Sequence, residues 1–156
     1  MGAHEINTPE HEHIQQLTAD KIQSGIYAFT LADVKITGAS KGHVVARLPL
    51  SANQMNSMNS LHGSVSATIV DWMGGMAIAT HDLRSGTGVS IDIHVTYQSG
   101  ATIGEELEIE GIAEKVGGSL AFTKVNIFKV EDGKRGRLVS SGTHTKFVKG
   151  TEPKKS

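Results

Sequence analysis

The chain has no cysteine. That absence excludes a disulfide scaffold, a thiolate nucleophile and any cysteine-ligated metal. Neither sign of charge dominates, since 15 Lys and Arg face 16 Asp and Glu for a formal net charge of −1. With no basic excess to neutralise phosphates, nucleic-acid binding is disfavoured. The opening residues, MGAHEINTPEHEHIQQ, contain neither the apolar stretch of a secretory signal nor the Arg- and Ser-rich character of a transit peptide. Ile6 also stands where a myristoylation motif wants Ser or Thr. These absences set the expectation of a protein of the cytoplasm or mitochondrial matrix with no membrane segment.

What is present suits one globular domain. At 156 residues and 38% hydrophobic content the chain can bury a genuine core. Residues 1–8 and 150–156 read as loose ends around a domain at 9–149. Thr8 is placed to cap a helix that Pro9 opens and Gly25 ends, with Ile14, Leu17, Ile22 and Ile26 at helical spacing. From Phe29 the pattern turns to strands, FTLADVKITGAS and GHVVARLPLS, about a turn at 40–42. A polar loop, ANQMNSMNS, leads to a helix over 63–81 that is apolar nearly all round. VSIDIHVTYQ then alternates, with Val89, Ile91, Ile93, Val95 and Tyr97 on one face and Ser90, Asp92 and His94 on the other. Three further strands follow, separated by Gly117-Gly118 and EDGKRG as hairpin turns. Short turns imply antiparallel pairing, and one sheet with one apolar helix on its face is an α+β arrangement.

Two residues of the central helix carry chemistry. Gly63 sits at its start, where unpaired amides and the positive end of the helix dipole could hold an oxyanion, or where sterics are simply tight. Asp71 lies within the apolar run. A buried carboxylate is costly unless paired or solvated, so it either acts in a cleft or makes a structural hydrogen bond. Eight residues of straight helix separate the two by about 12 Å. If both act on one carbonyl, the second must come from another copy of the chain.

Other constellations fail on geometry. Ser90, Asp92 and His94 resemble a hydrolase triad, but Ser90 and His94 on one strand are about 13 Å apart. His94 reads as a surface or interface residue. His4, His11 and His13 lack the spacing of a helical metal pair. Lys41, Lys146, Lys149, Lys154 and Lys155 read most simply as solvated surface.

The ordered set Asn56, His62-Gly63 and Asp71 before an apolar helix, then GVSIDIHVTYQSGATIGEELEIEG, LAFTKVNIF and GTHTKF, resembles the hotdog-fold acyl-CoA thioesterases over about residues 26–149. Within them it looks most like the thioesterase superfamily member 2 (acyl-CoA thioesterase 13) branch. The resemblance implies an antiparallel sheet wrapped around the central helix, pairing of copies into dimers or tetramers, and a site at the dimer interface. It implies an acyl-CoA substrate, with no metal and no cofactor. Carried over by position, Gly63 supplies the amide that polarises the thioester carbonyl and Asn56 assists. Asp71 of the neighbouring copy is general base or nucleophile, Ser90 helps place the water, and His62 holds the geometry and eases departure of the CoA thiolate. The family's His-Gly-Gly is here His62-Gly63-Ser64. Trp72 would line or narrow the acyl tunnel, and Arg84, His144 and Lys146 are candidates for the CoA nucleotide. Two other readings stay open: an acyl-CoA-binding hotdog sensor or scaffold without turnover, and a hotdog hydratase. Acyl chain length, and aliphatic against aromatic preference, are not legible.

Overall fold

The structure is a computed structural model, and it describes residues 6–156. The expectation for residues 1–8 falls largely outside the described residues, as does His4. Helix α1 spans Pro9–Lys21 and begins as its composition requires. Thr8 Oγ1 accepts from the His11 amide at 3.0 Å, Pro9 takes the first turn, and Glu10 and Glu12 face the positive end of the dipole. The same Thr8 hydroxyl donates to Ala39 O at 2.7 Å and pins the helix to the sheet.

The expected run to Gly25 is corrected. The helix stops at Lys21, and Gly25 opens a second, short helix, α2, over Gly25–Thr30. Ser24 precedes it in extended conformation, so the Ser-Gly pair that reads as a stop is a restart. Phe29, expected to open a strand, lies in α2 and is exposed, as is Ile26.

Strands β1 (Lys35–Ser40), β2 (His43–Pro49), β3 (Val89–Tyr97), β4 (Glu106–Val116), β5 (Leu120–Glu131) and β6 (Lys134–Phe147) form one antiparallel sheet in the order β1-β2-β4-β5-β6-β3. The Asp132-Gly133 turn joins β5 to β6 with φ of 52° and 75°, the left-handed pair that matches strand twist. Helix α3, Gly63–Asp82, packs on one face of the sheet and buries Ile69, Val70, Met73 and Met76 against Leu48, Leu107, Ile109 and Ile127. It packs so closely that a Cβ at Gly111 would sit 2.6 Å from Met73 Cγ, and one at Gly142 2.8 Å from Val70 Cγ2. No helix among the described residues is long and apolar enough to cross a membrane.

Strand β3 departs from strict alternation. Ser90 pairs with Lys146, but Asp92 pairs with Thr145, so Ile91 is a bulge. Paired residues share a face, so Ser90 turns toward α3 while Asp92 turns outward. Ile93, Val95 and Tyr97 follow Ser90 inward, and Val89 does not. The bulge thus aims one serine at the central helix. β3 is also an edge strand, and outward of it Val89, Phe147 and Leu120 lie in register, all exposed.

Candidate active site

Asp71 projects from the middle of α3 with 34% of its side chain exposed, so water reaches it. Its two oxygens have different surroundings. Oδ2 accepts from the hydroxyl of Tyr27, which α2 places half-buried beside the central helix. Oδ1 faces Ser90 Oγ at 3.5 Å and His144 Nε2 at 3.8 Å. Burial, and then the carboxylate, push the Tyr27 phenol far above its ordinary range, so it stays a donor.

His144, on β6, is fully buried and sits 2.7 Å from Ser90 Oγ through Nε2. Burial foremost, and next the Lys146 ammonium, hold its pKa below the ordinary value, so the ring is neutral at physiological pH. Its other nitrogen, Nδ1, is buried without a partner among the described residues. A bare lone pair there costs less than an unpaired N–H, so the proton belongs on Nε2. His144 then donates to Ser90 Oγ, and Ser90 turns its own hydrogen toward Asp71 or a water held between them. In a serine-protease relay the carboxylate orients the histidine through Nδ1 and Nε2 is the base. Here Nδ1 is sealed and Asp71 lies on the Nε2 side. Ser, His and Asp meet, but not as a nucleophilic triad.

The helix start is built separately. His62 caps α3, its Nδ1 accepting from the Ser64 amide at 3.1 Å and from Ser64 Oγ at 2.7 Å. The Val65 and Ser66 amides go to His62 O, which leaves the Gly63 amide as the first-turn donor without an acceptor among the described residues. Tyr97 reaches over from β3 and donates to Gly63 O at 2.9 Å, and a Cβ on Gly63 would press its ring at 3.3 Å. Asn56 holds the preceding loop by accepting from the Met58 and Ser60 amides, and its own Nδ2 donates to no described residue. The Gly63 amide thus lies at one end of α3, with Asn56 on the loop before it, and the carboxylate stands two turns further on. One chain does not bring them together.

Beside Asp71 opens a cavity of about 490 Å³ between α1, α2, α3, residues 86–88 and the start of β3. Trp72 and Lys146, candidates from the sequence, line it together with Asp71 and Ser90. Arg84 does not: it is buried, its guanidinium held by Asp82 at 2.6 and 2.8 Å and by Thr151 at 2.9 Å. There it ties the end of α3 to the start of the C-terminal tail. His94 is exposed on β3, and among the described residues no group of His, Asp and Glu could hold a metal. Tyr27 was missed from sequence. An isolated tyrosine 44 positions from Asp71 gives no local signal of the contact.

The geometry is that of a helix-borne carboxylate on an antiparallel sheet, with an amide donor at the helix start. Comparison with known proteins gives it a family. A family model described as Thioesterase superfamily matches residues 58–135. Human acyl-coenzyme A thioesterase 13 is 34% identical over 118 residues, 76% of this chain and 81% of that one. A putative esterase of Schizosaccharomyces pombe is 33% identical over 127 residues, 81% of this chain and 76% of that one. Among solved structures, zebrafish thioesterase superfamily member 2 matches with a TM-score of 0.78 at 31% identity, covering 88% of this chain and 96% of that chain. The chain therefore belongs to the thioesterase superfamily. It is a thioester hydrolase with the hotdog fold.

Proposed function

We propose that the chain hydrolyses acyl-CoA thioesters to free acid and CoA, in a site that two copies complete together. The human relative is named for acyl-CoA, and a partly exposed carboxylate beside a cavity supports a general base that activates water. The observation that carries the reading is Asp71 itself, with one oxygen held by Tyr27 and the other turned to Ser90 in a cavity open to solvent.

The thioester carbonyl rests on the Gly63 amide and Asn56 Nδ2 of one copy. Asp71 of the other copy takes a proton from a water that Ser90 and His144 position. The water oxygen bonds to the carbonyl carbon, and the oxyanion is stabilised at the helix start. Collapse breaks the carbon–sulfur bond, and CoA leaves as the thiolate, to be reprotonated by the proton Asp71 holds. His62 fixes the helix start through Ser64. The proton balance closes without a metal or a cofactor.

The second copy is supplied by pairing at β3. That strand is an edge of the sheet, and its exposed Val89 continues across the sheet into exposed Phe147 and Leu120. The test is thiol release from acyl-CoAs, which a protein without cysteine leaves free of background. Turnover by the wild type that collapses in Asp71→Asn supports the reading. An Asp71→Asn variant as fast as the wild type, or no turnover on any acyl-CoA, overturns it.

A further inference from the structure

The cavity beside Asp71 exposes more polar than apolar surface. Lys146 sits in its wall with 7% of its surface exposed, and its ammonium makes one hydrogen bond among the described residues, to Thr87 Oγ1 at 3.0 Å. Its two other N–H groups meet no acceptor among the described residues. Lys21 stands in the same wall, and Asp71 is the only carboxylate among the described residues that line it. That carboxylate already accepts from Tyr27. Two ammonium groups therefore face one shared negative charge. Gly75 keeps the space before Lys146 open: a Cβ there would sit 3.6 Å from Lys146 Nζ and 3.0 Å from Thr87 Oγ1.

The cavity starts at the reacting position, so one arm of the thioester must enter it. The CoA arm ends in a nucleotide and phosphates that belong in solvent, which leaves the acyl arm. Building on the thioesterase reading above, we propose that the acyl group this enzyme prefers carries a negatively charged oxygen at its far end, a carboxylate being the simplest, and that Lys146 pairs with it. A methyl-ended chain would displace water from a buried ammonium and give nothing in return. A carboxylate restores both an acceptor and the missing charge. Burial lowers the proton affinity of Lys146 more than the neighbouring Asp71 carboxylate raises it, and a second anion in the cavity would favour the ammonium further.

The test compares adipyl-, 6-hydroxyhexanoyl- and hexanoyl-CoA, equal in length and differing only at the end, by kcat/KM from thiol release. The carboxylate end should exceed the methyl end by about tenfold or more, with the hydroxyl between, as one charge-assisted hydrogen bond implies. In Lys146→Met, and independently in Lys146→Gln, the ratio should fall to near one. A wild type that hydrolyses hexanoyl-CoA as fast as adipyl-CoA overturns the preference while leaving the thioesterase reading intact. An adipyl-to-hexanoyl ratio unchanged in a folded Lys146 variant removes Lys146 from that role. If none of these or any other acyl-CoA is hydrolysed, the reaction itself falls and the preference with it.

Discussion

Replacing Gly74 with alanine separates the demands of the helix from those of the site. Ala is favoured over Gly inside a helix by about 1 kcal/mol, so propensity alone predicts a more stable protein. The packing predicts the reverse. A Cβ at Gly74 would lie 2.8 Å from Thr123 Oγ1, 2.9 Å from His144 Nδ1 and 3.2 Å from His144 Cβ. Neither neighbour is a flexible chain end. Thr123 is buried and donates to His144 O at 2.8 Å, and His144 is buried completely. Overpacking of this kind costs about 1–3 kcal/mol, which outweighs the propensity gain and leaves a net loss of roughly 1 kcal/mol. Tm should fall by about 2–4 °C for a chain of this length. Catalysis should suffer more than stability. Displacing the ring by a few tenths of an ångström stretches the 2.7 Å contact to Ser90, which the proposed mechanism uses to position the water, and a loss near 1.4 kcal/mol is about tenfold in kcat. Gly75→Ala is the comparison, because its Cβ meets Thr87 and Lys146 rather than His144, and its effect should appear in KM for the acyl group. Urea denaturation and thiol release measure both. A Gly74→Ala protein that melts higher and turns over normally would refute the packing of His144 against α3.

Tyr27→Phe removes one hydroxyl and little volume. It frees Asp71 to rotate away from Ser90, so kcat should fall by about tenfold with KM nearly unchanged, since a hydrogen bond to a charged group is worth roughly 1.5–3 kcal/mol. Loss confined to KM would contradict that positioning role. His144 links pH to stability with a definite sign. Its folded pKa lies below the ordinary 6.5, so the contribution is fully present above 6.5 and is lost as pH falls toward the folded value, because only the unfolded chain then takes the proton. Between pH 7.5 and 5.5 the wild type should lose more stability than His144→Gln, by at most about 1.4 kcal/mol per pH unit in that window. Parallel curves by urea denaturation would rule it out.

Much of this architecture is written locally in the chain. The apolar run of α3 with Gly63 at its start follows from periodicity, as do the hairpin turns, because each signal lies within a few residues. The break at Ser24 does not, since the same residues read as the end of one helix or the beginning of the next. The bulge at Ile91 is equally silent. Alternation in VSIDIHVTYQ is unbroken as text, and only pairing with β6 shows that Ser90 and Asp92 face opposite ways. The site is legible where it sits on one element and hidden where the sheet assembles it. Asp71 stands out as a carboxylate in an apolar helix, whereas His144 reaches Ser90 across 54 positions through strand register. Arg84 shows the converse: a charged residue just after the helix looks available to a ligand, and its donors are already taken by Asp82 and Thr151.

The claim that two copies complete one site has a direct measurement. Asp71→Asn leaves the helix-start donors intact, and Gly63→Val, whose side chain would crowd Tyr97, leaves the carboxylate intact. Each protein alone should be nearly inactive. Unfolded together and refolded in equal amounts, half of the dimers carry one of each chain. Each mixed dimer has one site with both parts, so activity should recover to about a quarter of the wild type. No recovery, in a mixture shown by mass to contain mixed dimers, would contradict the shared site and return Gly63 and Asp71 to separate roles.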